Sequence, residues 1–400
     1  MRRGHSAAAN GHARTRRAAP AETPAASALD GSVVAAAAAL AAIGVVMIYS
    51  TTAPLTMGNP LPPHFVRHLA ALSAGTLLVA IALRTPLSFW RWSALPLWAL
   101  GIVLLIATLV FGIEANGARR WLPLPGLPGS LQAAEIARFA TLLAVTSMLA
   151  RARPDSDRTL LRCIALMALP AGLLALQPDF GSAALLALLV GSLLFVAGAR
   201  MTRLCALAAG GIGVLTVYSA THPYALARWK GFLAPWENAR AEGFQLVQSF
   251  VAFGRGGTLG VGLGDGRQKL SYLPEAHTDF ILSVVAEELG LVGVLIVLGA
   301  FAALALAGLR IARRAEDPFA QLLAFAMTAF LVIPAAVNAG VVMGCLPTTG
   351  FTLPFISFGS NSLAVCALAL GVLLRIAAVE AAHPARGRQK RHAPQRGRAR

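Results

Sequence analysis

Glu275, His277 and Asp279 alternate through the octapeptide Leu273-Pro-Glu-Ala-His-Thr-Asp-Phe280, which joins a long polar stretch to an apolar run beginning at Ile281. Three ionisable side chains at the mouth of a membrane-crossing segment are costly to hold away from bulk water, so they are candidates for function. The chemistry open to them is proton transfer. Partial burial raises a carboxylate's pKa toward the range in which it accepts a proton at neutral pH. Asp279, nearest the apolar run, is the first candidate base; His277 follows and Glu275 is third. The plainer alternative is that the cluster caps and anchors the helix after it.

Other polar residues gather on the same side. Arg119 and Arg120 are adjacent and precede Trp121 in Gly117-Ala-Arg-Arg-Trp121. Guanidinium forks suit phosphate oxygens, and the indole suits the interface; two solvated arginines beside a belt tryptophan would look the same. Gln132, Glu135 and Arg138 follow, the last two spaced so that they could simply pair on one helix face. Gln177-Pro-Asp-Phe-Gly181 places Asp179 at a tight connection, where it can cap a helix, line a site, or do both. Glu287 and Glu288 lie two turns into an apolar segment, so at least one must face the protein interior. The glycine run 254–266 has no register matching GxGxxG, and the chain has no GK[ST], so a nucleotide loop is rejected. Its glycines would instead allow close backbone approach or a re-entrant turn.

These groups need a scaffold, and composition names its class. Of 400 residues, 57% are hydrophobic and 13% charged, and the mean hydropathy is +0.68. A soluble core stops growing near about 250–300 residues, whereas apolar runs of about 17–25 residues cross a bilayer. The chain reads as an all-α polytopic membrane protein with ten spans, at 31–52, 65–83, 93–113, 133–150, 160–177, 180–198, 204–221, 280–308, 320–343 and 355–378. Residues 222–279 form one long external loop, which Trp229, Phe232, Trp236, Phe244, Phe250 and Phe253 can pack onto the membrane face. Basic tails, 1–30 and 379–400, flank the membrane unit. Under this topology the whole formal charge of +17 falls on the face bearing both termini, which the positive-inside rule makes cytoplasmic. The tails lack aromatic residues that could stack on bases, so contact with anionic lipid is expected and nucleic-acid binding is not. No cleavable signal is expected, because some thirty residues precede the first span. Cys163, Cys205, Cys345 and Cys366 fit neither a disulfide nor a zinc spacing.

The motifs, taken in order, resemble the FtsW/RodA family of peptidoglycan glycosyltransferases. The resemblance runs over roughly residues 117–375. It includes Arg120-Trp121, Gln132 with Glu135, Gln177-Pro-Asp-Phe-Gly181, Gln268-Lys269, the octapeptide with Glu287-Glu288-Leu289-Gly290, Asn338, Leu346-Pro-Thr-Thr-Gly350 and Leu353-Pro-Phe-Ile-Ser-Phe-Gly359. Ala133 and Ala134 stand where the family has Pro and Ser, Arg138 where Lys is usual, and Ser360-Asn361 where Gly-Ser is usual. The resemblance implies polymerisation of lipid II, with Asp279 as catalytic residue. It also implies substrate contacts from Arg119, Arg120, Trp121, Gln132, Glu135, Arg138, Asp179, Lys269, Glu275, His277, Thr278 and Ser357. Arg119, Arg120, Arg138 and Lys269 are the candidates for the pyrophosphate. No cofactor or protein-held metal is implied, although a divalent cation (Mg or Mn) bridging Asp279 and pyrophosphate is left open. The partners implied are a class B penicillin-binding protein and other divisome proteins, at the bacterial inner membrane. The wording of the motifs is closer to FtsW than to RodA. Two readings from other classes compete: a lipid flippase or transporter, and a division scaffold.

Overall fold

Long unbroken apolar segments favour helices in a bilayer, because only an internally hydrogen-bonded backbone is stable there. The computed structural model describes residues 29–55, 61–115, 118–123, 129–152 and 156–391. Most of the two basic tails, together with Gly117, therefore lies outside the described residues. The first seven helices are α1 (Gly31–Thr52), α2 (Pro63–Arg84), α3 (Leu87–Phe111), α4 (Ala133–Leu149), α5 (Asp157–Leu176), α6 (Phe180–Val196) and α7 (Met201–Thr221). Two shorter ones follow, α8 (Pro223–Leu233) and α9 (Phe244–Gly256), then α10 (Ile281–Arg314), α11 (Pro318–Val342) and α12 (Ser360–Arg391). Among the described residues, eight helices are long and apolar enough to cross a membrane; α6 is apolar but shorter.

Helix pairing places α4 at the centre. Nearly every α4 side chain is buried, and the helix contacts α3, α5, α6, α11 and α12. Around it, α12 packs on α2, while α10 packs on α1, α9 and α11. α7 is the opposite case, with no buried residue at all.

The polytopic helical class holds, and three details differ. A small antiparallel sheet accompanies the helices, formed by β1 (Ile113–Ala115), β2 (Ala118–Pro123) and β3 (Ser130–Leu131). Ile113 pairs with Trp121, Glu114 with Arg119, and Leu122 with Leu131. Second, residues 222–279 are not a loop draped on the surface, because α8, α9 and a π turn at Gln268–Tyr272 occupy much of it. Third, the last helix begins at Ser360, not at 355. Phe355 sits at φ 66°, and the Ser357 hydroxyl accepts the Leu353 amide at 2.8 Å, closing a turn instead.

The π turn completes a re-entrant hairpin. α9 runs beside the first part of α10, with Ser249 and Ser283 hydroxyls 2.8 Å apart. The chain then turns through glycines and returns. α10 is broken at Gly290 (φ 65°, ψ −163°), and the hairpin tip fills that break with backbone hydrogen bonds. The Val261 and Gly262 amides donate to the Glu287 and Glu288 carbonyls, while those of Leu291 and Val292 donate to Gly257 and Thr258. Non-helical backbone at membrane depth is stable only when buried in protein like this.

Candidate active site

The octapeptide is shaped by its own turn and held by two other segments of the fold. Glu275 takes a left-handed conformation (φ 57°), and its carbonyl accepts the Thr278 and Phe280 amides. The Thr278 hydroxyl donates to the Glu275 carboxylate at 2.9 Å. From the stretch before α12, the Ser357 hydroxyl donates to the Thr278 carbonyl at 2.6 Å and the Phe358 amide to the His277 carbonyl at 2.9 Å. From α11, one Asn338 amide group donates to the carbonyls of Asp279 (2.7 Å) and Phe351 (2.6 Å). Every backbone carbonyl from His277 to Asp279 is thus engaged by another segment, which fixes where the side chains leave.

Asp279 is half-buried, and Gly350 lies against its carboxylate. A Cβ built on Gly350 would stand 2.9 Å from the Asp279 oxygen, so glycine leaves the room this carboxylate occupies. Burial, with Glu275 adding to it, pushes the Asp279 carboxyl up to about 7, against the pull of Arg228. Arg228 is itself placed by a 2.9 Å hydrogen bond from its guanidinium to the Thr348 carbonyl. His277 moves the other way: burial depresses its imidazole, opposed by Glu275 and assisted by His64. The His64 and His277 rings lie 5.3 Å apart, with Phe358 against both.

Phe351 links this cluster to the other motifs. A Cβ on Gly181 would come 3.3 Å from its ring, and the Arg138 guanidinium lies 6.0 Å from its centroid. Asp179 accepts the Ser182 amide at 3.2 Å and so caps α6, while Gln177 donates to the Leu105 carbonyl at 2.9 Å. Arg120 on β2 donates to the Pro178 carbonyl at 2.5 Å, tying the sheet to the Gln-Pro-Asp turn. Trp121 lies half-buried on the same strand, and Gln132 stands at the N-terminal boundary of α4. Arg119 is exposed and pairs with Glu114 at 3.5 Å.

Two of the expected substrate contacts have partners within the chain. Glu135 and Arg138 are both buried and form an ion pair with each other, as their spacing allowed. Lys269 is only 4% exposed, and its ammonium reaches Glu288 at 2.6 Å and Ser50 at 2.8 Å. It is the buried counter-ion of Glu288. Arg228, His64 and Ser50 escaped the sequence reading, because each lies far along the chain from the motif it meets. Asn338 falls within a motif, and a polar side chain in an apolar helix is itself a signal that it is hydrogen-bonded inside the protein.

The arrangement is a carboxylate of raised basicity held rigidly at one end of a helix bundle, with guanidinium groups on neighbouring segments. Comparison with known proteins places it. Residues 31–382 match the family model of FtsW, RodA and SpoVE, described as cell cycle proteins. The chain belongs to the FtsW/RodA/SpoVE family. It is 41% identical over 359 residues to the probable peptidoglycan glycosyltransferase FtsW of Coxiella burnetii, covering 87% of this chain and 96% of that one. The corresponding protein of Halomonas elongata is 38% identical over 381 residues, covering 93% and 95%. Among solved structures, a peptidoglycan synthase complex that coordinates polymerization and crosslinking contains a chain 30% identical, with a TM-score of 0.75 and coverage of 88% and 98%. Thermus thermophilus rod shape determining protein RodA is 27% identical, with a TM-score of 0.65 and coverage of 87% and 96%. This FtsW/RodA/SpoVE member is therefore a multi-pass membrane protein with a polytopic helical fold.

Proposed function

We propose that the chain is a peptidoglycan glycosyltransferase that polymerises lipid II in septal cell division. The observation that carries the reading is Asp279, a half-buried carboxylate raised to about 7 at the convergence of the family's motifs. In this reaction a sugar hydroxyl of the acceptor attacks the anomeric carbon of the donor. The C–O bond to the undecaprenyl pyrophosphate breaks, and the pyrophosphate leaves with that electron pair. Asp279 takes the hydroxyl proton. A base with a pKa near the working pH combines adequate strength with a useful deprotonated fraction.

Arg119 and Arg120 carry the charge that faces the departing pyrophosphate; both are on β2, and neither is fully buried. Asn338 and Ser357 hold the backbone on either side of the base. A Mg or Mn ion would find no ready-made protein cage, since no group of three or more His, Cys, Asp or Glu able to hold a metal occurs among the described residues. Such an ion would have to take its ligands from the substrate's pyrophosphate oxygens and water.

The partner is a class B penicillin-binding protein, which supplies the crosslinking activity, alongside other divisome proteins. The location is the bacterial inner membrane, with both termini cytoplasmic and the Asp279 cluster outside. Purified protein, co-expressed with such a transpeptidase and given lipid II, should make glycan strands visible on a length-resolving gel. Translocation of lipid II across vesicles with no glycan formed under any condition would favour the transporter reading.

A further inference from the structure

Lys269 and Glu288 form an ion pair that neither water nor lipid reaches, with side chains 1% and 0% exposed and nitrogen and oxygen 2.6 Å apart. Ser50 of α1 completes it. Its hydroxyl lies 2.8 and 2.7 Å from the two Glu288 oxygens and 2.8 Å from the lysine nitrogen. The Gly264 amide donates to the same carboxylate at 3.2 Å. The preceding residue repeats the pattern. Glu287, fully buried, accepts the Arg267 and Gln268 amides, each at 3.0 Å, and pairs with Arg255 at 3.0 Å. Two adjacent carboxylates on α10 therefore hold the whole returning limb of the re-entrant hairpin.

The position of that limb gives the clamp its consequence. The chain runs from Lys269 through Asp279 into α10 and on to Glu288. The ion pair joins the two ends of this segment, and Asp279 lies midway along it. Glu288 is seven residues into α10, about 10 Å from its start at the helical rise. The segment carrying Asp279 is thus pinned at its two ends by a charge pair and in its middle by Asn338 and Ser357. Apolar residues of similar volume would hold the limb at no greater cost, because a buried ion pair seldom out-stabilises them. What the limb cannot tolerate is the loss of one partner alone, which leaves the other charge buried and uncompensated.

We propose that the Lys269–Glu288–Ser50 cluster sets the position of Asp279 for the reaction, with Lys269 a positioning residue and not a ligand of the substrate pyrophosphate. This rests on the polymerase reading. Loosening the clamp should let water reach Asp279. Its carboxyl then moves down toward the ordinary range, with Glu275 on the same segment still raising it and Arg228 of α8 still lowering it; Asn338 and Gly350 bring no charge to it.

The test uses the full chain, co-expressed with its transpeptidase and assayed on lipid II across a pH series. For Lys269→Met, kcat should fall about 10- to 100-fold, the scale of a misplacement near 1 Å. KM should stay unchanged, and the acid limb of the rate profile should move to lower pH. The double variant Lys269→Met/Glu288→Leu leaves no uncompensated buried charge and should recover most of the rate. A raised KM with unmoved pH limb for Lys269→Met would assign the lysine to substrate and overturn the proposal. So would a folded double variant as impaired as the single one. If Lys269→Met does not fold, the double variant decides alone: active with unchanged KM supports the clamp, folded and inactive refutes it. A wild-type complex that makes no glycan would instead remove the polymerase reading beneath both.

Discussion

Among three neighbouring ionisable groups, the structure separates roles by environment. Glu275 is exposed, His277 is held neutral by burial, and Asp279 alone combines partial burial with a raised carboxyl. Asp279→Asn keeps shape and hydrogen bonding but cannot take a proton, so polymerisation should fall about 100- to 10,000-fold, the usual contribution of base catalysis. Lipid II binding, measured separately, should persist. The wild-type rate should rise with pH through about 7 as Asp279 loses its proton. The two charges on Asp279 make opposite predictions. Glu275→Gln removes a group that raises the carboxyl, so the acid limb moves to lower pH; Arg228→Gln removes one that lowers it, so the limb moves higher. Unmoved limbs in both would take the titration away from Asp279. The same shift has a sign for stability. Between the ordinary value of 3.8 and about 7 the folded protein binds the proton more tightly than the unfolded chain. Stability therefore declines as pH rises through that window. Asp279→Asn abolishes this dependence, and should melt higher than wild type at pH 8 although it is inactive.

The elements around the site depend on glycine where backbones meet. Gly290 has φ 65°, and a Cβ there would stand 2.4 Å from the Gly260 nitrogen; on Gly256 one would stand 1.8 Å from the Ala286 carbonyl oxygen. Gly290→Ala and Gly256→Ala should therefore lower the melting temperature and the yield of monodisperse protein sharply. Gly299→Ala, later in α10 with nothing within 4 Å, should leave both intact. This is also where the sequence was least legible. Long apolar runs located ten helices to within a few residues at most ends, because hydropathy over a whole span is a strong signal. β1, β2 and β3 gave none, being two to six residues long beside glycine and proline. The glycine run suggested a re-entrant turn, but its docking into the α10 break needs a partner thirty residues away. Lys269 shows the same limit: its charge is legible in the sequence, while its meeting with Glu288 and Ser50 exists only in space. The unusual Asn361 also finds its reason only in space, donating to the Ser130 carbonyl at 2.8 Å and so tethering β3 to the start of α12.

At the scale of the molecule, charge and fold agree on an orientation that a labelling experiment can decide. Arg84, Arg91, Arg151, Arg200, Arg310, Arg313 and Arg314 lie at or near helix ends on the face opposite the Asp279 cluster. The connections on the Asp279 face, taken with the helix ends beside them, carry ten Lys and Arg against ten Asp and Glu. Lys and Arg retained on one side set that side as cytoplasmic. Trp236, 64% exposed between α8 and α9, should then be external, and Glu316, at the α10–α11 connection, internal. In a chain whose four native cysteines are replaced by serine, a membrane-impermeant thiol reagent applied to intact cells should label Trp236→Cys and spare Glu316→Cys. Opening the membrane should expose the second site. The reverse pattern would turn the molecule over, placing Asp279 on the side where septal glycan is not assembled, and would defeat the polymerase reading whatever the chemistry of the site. A glycan polymerase of the outer face and the observed charge asymmetry thus stand or fall on one measurement.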